Sequence, residues 1–401
     1  MSLLYDLTTS YNSKEQKRFF LPSQITFQNG AIKKLPELVT RFKKSILFVD
    51  QYFEHADFIQ CKTSELVVVR GEPTSELVES TYKRFGKHVD ALFAIGGGST
   101  MDTAKAFKAL VLYGVYDGLG YESKVNLPVH VPVVPPLICF PTTAGTGAET
   151  SKYLVVYDSQ TKQKKIGRSW DLCANEVILD PSLLISLPAS NLVLCAFDAF
   201  VHYFETLVCR YERSLPNEML SVFGIQQIVE TLQNYSKTLK YTNVIGEKLL
   251  WASCLSGVAI SNVRTGNIHE AAGALLEEST LAHPETLFVF FKQAVVQYQG
   301  FIREQEAKLS QALKGVGIEN LNDLISFWGK IFFQVGATTQ IKKKIQQIPL
   351  ENRDKIYQKI LARVTKDLVW MTKESPCPYS RDQAESFIQA ALDGWDFFGK
   401  Q

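Results

Sequence analysis

Residues 91 to 106 read Ala-Leu-Phe-Ala-Ile-Gly-Gly-Gly-Ser-Thr-Met-Asp-Thr-Ala-Lys-Ala, and no other stretch narrows the possible folds as much. Five apolar residues in a row suit a strand buried on both faces. Three glycines then allow positive φ and close approach of the backbone, and a helix follows from near Ser99. Strand, glycine turn and helix in that order belong to a parallel sheet covered by helices. The start of such a helix directs unpaired N–H groups and the positive end of its dipole at one point, which makes the turn a candidate anion site. Asp102 and Thr103 are expected in the first turn, where they would satisfy some of those donors. A tight turn with an N-cap explains the same residues without a ligand. The spacing GxGxxG is absent, so this loop alone does not specify a nicotinamide cofactor.

The same rhythm runs through the first half. Ser45 to Asp50, Leu66 to Arg70 and Leu137 to Phe140 are short and rich in strand formers, with a charged helical stretch from Ser75 to Lys87 between two of them. Tyr153 to Asp158 and Val177 to Asp180 are expected to form a further strand pair. Beyond Pro188 the strand-like runs cease, and helical spacing holds over Glu218 to Tyr235, Glu247 to Ile260, Asp354 to Thr372 and Ser380 to Phe398. The sequence therefore predicts an α/β domain over residues 1–188, built on a parallel sheet, followed by an all-helical domain over 189–401.

A second loop of small and hydroxyl residues, Phe140-Pro-Thr-Thr-Ala-Gly-Thr-Gly-Ala-Glu149, also follows a predicted strand. Two such loops at the carboxyl ends of parallel strands agree with a ligand bound at the sheet edge, although each alone is an ordinary turn. In the helical half, Asp198 and His202 are four residues apart, on one face of a helix. His269 and His283 follow. With only six histidines in 401 residues, three beside an aspartate in one half is a plausible set for a divalent ion such as Fe or Zn. His55, His88 and His130 have no such company and read as structural or surface residues.

Composition sets the frame. Lys and Arg total 43 against 41 Asp and Glu, a net charge of +2, which gives no reason to invoke nucleic acid or an anionic membrane as partner. Seven dispersed cysteines without a CxxC pair suit reduced thiols. The N-terminal stretch lacks a signal-peptide pattern, and no uninterrupted apolar run of membrane-spanning length stands out. These readings favour a cytoplasmic enzyme.

Taken together, these segments resemble the iron-containing alcohol dehydrogenases. Ile25-Thr-Phe-Gln-Asn-Gly30 resembles the family's opening hairpin, Gly71-Glu-Pro-Thr74 its next loop, and Ile95 to Lys105 its diphosphate loop. Pro141 to Glu149 resembles its second signature, and Asp180 to Pro188 the passage into its helical domain. The resemblance implies a Rossmann-like dinucleotide-binding domain and a helical metal-binding domain, arranged as in dehydroquinate synthase and assembled as a homodimer or larger homo-oligomer. It implies that Gly97, Gly98, Ser99 and Asp102 serve the diphosphate loop, that Thr142, Thr143 and Thr146 line the cofactor, and that Lys165 reaches a ribose. Asp50 matches an acid near the adenosine ribose, which favours NAD over NADP. Asp198, His202, His269 and His283 fall on the metal-ligand positions. The activity implied is that of an NAD-dependent alcohol dehydrogenase or aldehyde reductase.

The sequence also departs from the family. Gly273 stands where many members carry a second histidine, which excludes a proton relay through an imidazole there. His283 is followed by Pro284 rather than glycine, which raises a shift of that ligand. Arg264 and Asn267 replace small apolar residues before His269 and are candidates to hold a polar or anionic substrate, with Lys152 and Tyr153 beside them. The plainer alternative pairs Arg264 with Glu270. Two other functions stay open at this point: a metal-dependent lyase or cyclase of the dehydroquinate synthase type, and a nucleotide-binding member that no longer turns over.

Overall fold

The structure, a computed structural model, describes residues 19–60, 64–119, 135–210, 213–366, 375–376 and 380–397. His130, Cys61, Cys377 and the ends of the last two predicted helices lie outside them. The chain divides into two compact units, Met1–Ser186 with Thr242–Ser261, and Leu187–Tyr241 with Asn262–Gln401.

The first unit holds β1 (Gln24–Phe27), β2 (Ser45–Asp50), β3 (Ser64–Val69), β4 (Ala91–Gly96), β5 (Leu137–Pro141), β6 (Tyr153–Asp158), β7 (Gln163–Arg168) and β8 (Glu176–Leu179). Six of these form a parallel sheet in the order β1-β8-β5-β4-β2-β3. The helices of this unit include α1 (Leu35–Val39), α2 (Ser75–Phe85) and α3 (Gly98–Tyr113). Every residue of β4 and β5 is buried, as the unbroken apolar runs require for strands at the centre of a parallel sheet.

Two expectations about strands need correction. Tyr153 to Asp158 pairs antiparallel with β7, not with the Val177 strand. The Val177 strand is β8, which lies between β1 and β5 in the main sheet. The reason is visible in the side chains: β8 buries Val177, Ile178 and Leu179, whereas β7 reads Gln-Lys-Lys-Ile-Gly-Arg and is for the most part only half-buried. The Asp158 carboxylate accepts the N–H groups of Gln160 and Thr161 and so turns the chain between β6 and β7. Likewise, among the described residues, β1 pairs in parallel with β8 rather than within an opening hairpin.

The second unit is helical: α4 (Ala189–Val208), α5 (Leu215–Ser236), α7 (Asn267–Glu277), α8 (His283–Tyr298), α9 (Arg303–Leu313), α10 (Leu321–Gln334), α11 (Ala337–Gln346), α12 (Leu350–Lys366) and α13 (Arg381–Asp393). Its core gathers aromatic rings: Phe197 meets Trp328, Phe291 and Phe332 edge to face at centroid separations of 4.7 to 5.4 Å.

The intervening helix, α6 (Asn243–Asn262), belongs to the first unit, so that unit is not the simple run 1–188. Gly147, at φ +57°, and Gly257 on α6 make this packing possible. A Cβ on Gly257 would lie 2.0 Å from the Gly147 carbonyl oxygen, a distance no side chain can tolerate. The Thr150 hydroxyl donates to the Cys254 carbonyl, and the Lys152 N–H donates to Ser261 Oγ at 2.9 Å. Among the described residues, two helices, α4 and α6, are long and apolar enough to cross a membrane by length and composition. Their most apolar windows are 89% and 67% buried, as befits core helices.

Candidate nucleotide and metal sites

The first site rises from the carboxyl ends of β4 and β5. Gly97 is the N-cap of α3, and the N–H groups of Thr100 and Met101 both donate to its carbonyl. The N–H groups of Gly98 and Ser99 lie at the helix end, where no intrahelical acceptor exists, and a glycine N-cap offers no side chain to them. The second loop closes against this turn. The Thr142 N–H donates to the Gly96 carbonyl at 3.0 Å. A Cβ at Gly97 would lie 3.0 Å from Thr143 Oγ1, and one at Gly98 would lie 3.0 Å from Thr146 Cγ2. The two loops thus form a cradle that a side chain at either glycine would fill. Free donors, a positive helix end and a bare backbone suit a diphosphate.

The helix-capping part of the expectation is corrected. Because α3 begins at Gly98, Asp102 lies beyond the first turn. Its Oδ2 accepts the Val155 N–H at 3.0 Å, and Thr103 Oγ1 donates back to the Ser99 carbonyl at 2.8 Å. Burial raises the Asp102 carboxyl to about 6. Asp50, at the end of β2, accepts the Tyr52 N–H at 3.0 Å. Lys165 lies on β7 with its Nζ 2.9 Å from Asp158. The Lys152 ammonium rests over the rings of Trp170 and Tyr153, at 5.0 and 5.5 Å. At the end of the second loop, Glu149 is buried, its Oε1 has no hydrogen-bond partner, and burial lifts its carboxyl to about 7.

The second site lies within the helical unit. Asp198 and His202 face the same way from α4, His269 is the third residue of α7, and His283 opens α8. One donor atom from each of Asp198, His269 and His283 lies within 4.8 Å of the others. From Asp198 Oδ1, the Nε2 atoms of His202, His269 and His283 are 3.5, 3.6 and 3.7 Å away. Tetrahedral ligands at about 2.1 Å from an ion would stand about 3.4 Å apart, so the spacing suits a shared cation. Asp198 Oδ1 and His269 Nε2 are buried without hydrogen-bond partners. Uncompensated polar atoms of this kind are costly, and a cation would satisfy both at once. The donor set therefore fits a divalent metal.

The charge states of Asp198 and His202 agree with that reading. Burial alone would raise Asp198, yet the imidazoles of His202, His283 and His269 outweigh it and hold the carboxyl well below the usual range. Burial pushes His202 down to about 3, which keeps its ring neutral with a lone pair to donate. Burial would lower His269 too, but Glu205 and Asp198 together outweigh it and lift the ring to about 9, so a cation bound there must displace a proton from it.

Glu205 was not singled out from the sequence. It lies on α4, three residues after His202 and seven after Asp198, which is the signal that could have found it. Its Oε2 is 2.6 Å from His269 Nδ1, and its Oε1 accepts the Ile268 N–H at 2.7 Å. A proton on Nδ1 leaves Nε2 as the donor atom facing Asp198. Gly266 keeps space for this contact, since a Cβ there would lie 3.0 Å from Glu205 Oε1.

Gly273, one turn after His269, has the Arg363 guanidinium over it; a Cβ would meet Nη2 at 3.1 Å. Arg363 is anchored by Glu270 at 3.2 Å and Glu277 at 2.7 Å. Glu270, the acid expected beside Arg264, is thus engaged by Arg363. Pro284 follows the first residue of α8, where a missing N–H breaks no intrahelical bond, and His283 keeps its place in the cluster. Asn267 is buried, and its Nδ2 has no hydrogen-bond partner.

Comparisons with known proteins cover nearly the whole chain. Residues 22–181 match the family model described as iron-containing alcohol dehydrogenase, and residues 192–391 match its C-terminal counterpart. The NAD-dependent methanol dehydrogenase of Bacillus methanolicus is 29% identical over 271 residues, which is 63% of this chain and 68% of that enzyme. Other curated relatives are matched over smaller shares of their own length, 34% and 66% in two cases. Among solved structures, an iron-containing alcohol dehydrogenase from Thermococcus thioreducens superposes with a TM-score of 0.77 at 19% identity, covering 94% of this chain and 100% of that one. The sulfoacetaldehyde reductase of Bifidobacterium kashiwanohense, solved with NAD+, gives 0.77 at 17% identity, covering 94% and 98%.

Proposed function

This chain belongs to the iron-containing alcohol dehydrogenase family, and on that premise we propose that it transfers a hydride between NAD(H) and a small alcohol or aldehyde. The observation that carries the reading is the buried cluster of Asp198, His202, His269 and His283, with two orphaned donor atoms facing one point. Iron is our first choice of metal and zinc the second, since mixed imidazole and carboxylate donors accept either. A divalent ion held there supplies Lewis acidity toward an alcohol or carbonyl oxygen. NAD supplies the hydride acceptor.

The chain's own share is binding and orientation. Gly98 and Ser99 offer backbone N–H groups to a diphosphate, with Gly97, Thr142, Thr143 and Thr146 shaping the cradle. Asp50, which repels a ribose phosphate, favours NAD over NADP; Asp102 and Lys165 complete the proposed cofactor set. Glu205 fixes the ring orientation of His269. Gly273 offers no proton carrier, so the alcohol proton leaves through water or the cofactor's ribose hydroxyl. A polar or anionic substrate is the finer reading, supported by the buried Asn267 Nδ2, which has no hydrogen-bond partner; Arg264, Lys152 and Tyr153 are its other candidate contacts. We place the enzyme in the cytoplasm as a homodimer or larger homo-oligomer, on its dispersed thiols and on the family resemblance respectively.

The test is NADH oxidation over a panel of neutral and anionic aldehydes, with Fe, Zn and Mn returned one at a time to stripped protein. Turnover restored by a metal supports the reading, and undiminished turnover of stripped protein removes the metal from it. Arg264→Ala is expected to weaken anionic substrates selectively; equal rates across the panel would discard the anionic reading.

A further inference from the structure

Two of the four cluster residues ride on the first turns of helices, and both turns are closed by buried glutamates. His269 is the third residue of α7, and its helix start is met by Glu205, only 2% exposed, through the Ile268 N–H at 2.7 Å. His283 is the first residue of α8, and its helix start is met by Glu285, fully buried, through the Ala282 N–H at 2.6 Å. Lys344 on α11 pairs with the same Glu285 oxygen at 2.7 Å, while Glu285 Oε1 is buried with no hydrogen-bond partner.

This arrangement answers a physical difficulty. A helix start carries partial positive charge and unpaired donors, so ligands drawn from two first turns bring together positive ends that disfavour a cation. Glu205 sets a buried carboxylate at the first start and accepts one of its N–H groups; at the second, Glu285 accepts the Ala282 N–H and balances Lys344, whose charge would otherwise stand uncompensated there. The two acids are not equivalent. Glu205 also takes the Nδ1 proton of His269, so it governs which ring nitrogen faces Asp198; Glu285 touches only backbone and Lys344.

We propose that Glu205 and Glu285 are paired positioning residues that make this cluster able to hold a divalent cation, with Glu205 the stronger of the two. The proposal rests on the metal reading above and concerns affinity rather than turnover. In a Glu205→Gln variant the amide still accepts the Ile268 N–H but presents NH2 to Nδ1, which drives the ring proton to Nε2 and removes that atom as a donor. In a Glu285→Gln variant the shape is retained and the charge is lost.

The experiment is competition for Zn2+ between the full-length, metal-stripped protein and a chromophoric chelator, repeated with Co2+ for its visible spectrum. Glu205→Gln is expected to weaken Zn2+ about 10- to 100-fold and to change the Co2+ band pattern. Glu285→Gln is expected to weaken Zn2+ a few-fold and leave the Co2+ pattern unchanged, and Glu205→Asp, which keeps the charge, to recover part of the loss. NAD affinity and the thermal midpoint of the stripped protein report whether each variant is folded. Should Glu205→Gln fail to fold, Glu285→Gln and Glu205→Asp carry the test. Wild-type Zn2+ affinity in folded variants at both positions would overturn the proposal. Absence of Zn2+ binding by the wild type itself would instead remove the metal reading, and this proposal with it.

Discussion

In the sheet-bearing unit, a Cβ at Gly97 or Gly98 would crowd Thr143 or Thr146 at 3.0 Å, and the groups on offer are backbone N–H. In the helical unit, four side chains from α4, α7 and α8 meet within a few ångströms, and the groups on offer are a carboxylate and imidazoles. The first surface is made by what its residues lack, the second by what they carry. A backbone site tolerates almost any change that adds no bulk. A side-chain site depends on identity and also on residues that never touch the ligand, such as Glu205. The two sites should therefore fail in different ways.

The largest effect is expected for His269→Ala, which removes a donor and the partner of Glu205. Turnover should fall at least about a thousandfold with loss of bound metal, while NAD affinity, followed by fluorescence, stays within about twofold. An equal loss of NAD binding would break the contrast between the units. Next comes Gly98→Val, whose branched side chain would fill the cradle against Thr146. NAD affinity should drop about 100-fold, by analogy with other close-packed sites, with Zn2+ affinity unchanged. A normal NAD affinity would mean that the diphosphate lies elsewhere.

A third prediction concerns stability and pH. Burial raises the Glu149 carboxyl in the folded state from an ordinary 4.5 to about 7. Between those values the folded chain holds a proton that the unfolded chain has lost, so stability falls as pH rises through that window. Glu149→Gln should flatten this part of the urea-unfolding profile and stabilise the protein at pH 8 relative to pH 5. An unchanged slope would show that the carboxyl titrates normally. The smallest effect is expected for Asp50→Asn, which removes a charge but keeps an acceptor for Tyr52. The preference for NAD over NADP should narrow by about tenfold, read as the ratio of kcat/KM values.

The sheet was legible because buried parallel strands write themselves as unbroken apolar runs; β2 begins and ends where Ser45 to Asp50 suggested. By contrast, β7 was illegible, since its lysines and arginine carry no alternation and its place is fixed by the turn at Asp158. The glycine turn was legible as a site, yet Asp102 fell just past the first turn, because the helix starts at Gly98, one residue before Ser99. The histidines could be found by counting. The spacing of Glu205 puts it on the face of Asp198 and His202, but its role depends on α7 arriving beside α4, a contact between residues 63 apart in the chain. Nor could α6 be assigned to its unit, since an amphipathic pattern says that a face is buried but not against what.

That last feature bears on how such a protein can be divided or inherited. A gene fragment stopping at residue 188 would encode every strand of the sheet and still omit the helix against which Gly147, Thr150 and Lys152 rest. The second loop would then lose its backing and expose apolar surface. Exchange of nucleotide-binding halves between relatives must therefore carry a distant segment of sequence as well, and recombination at the obvious seam is expected to yield insoluble chimeras.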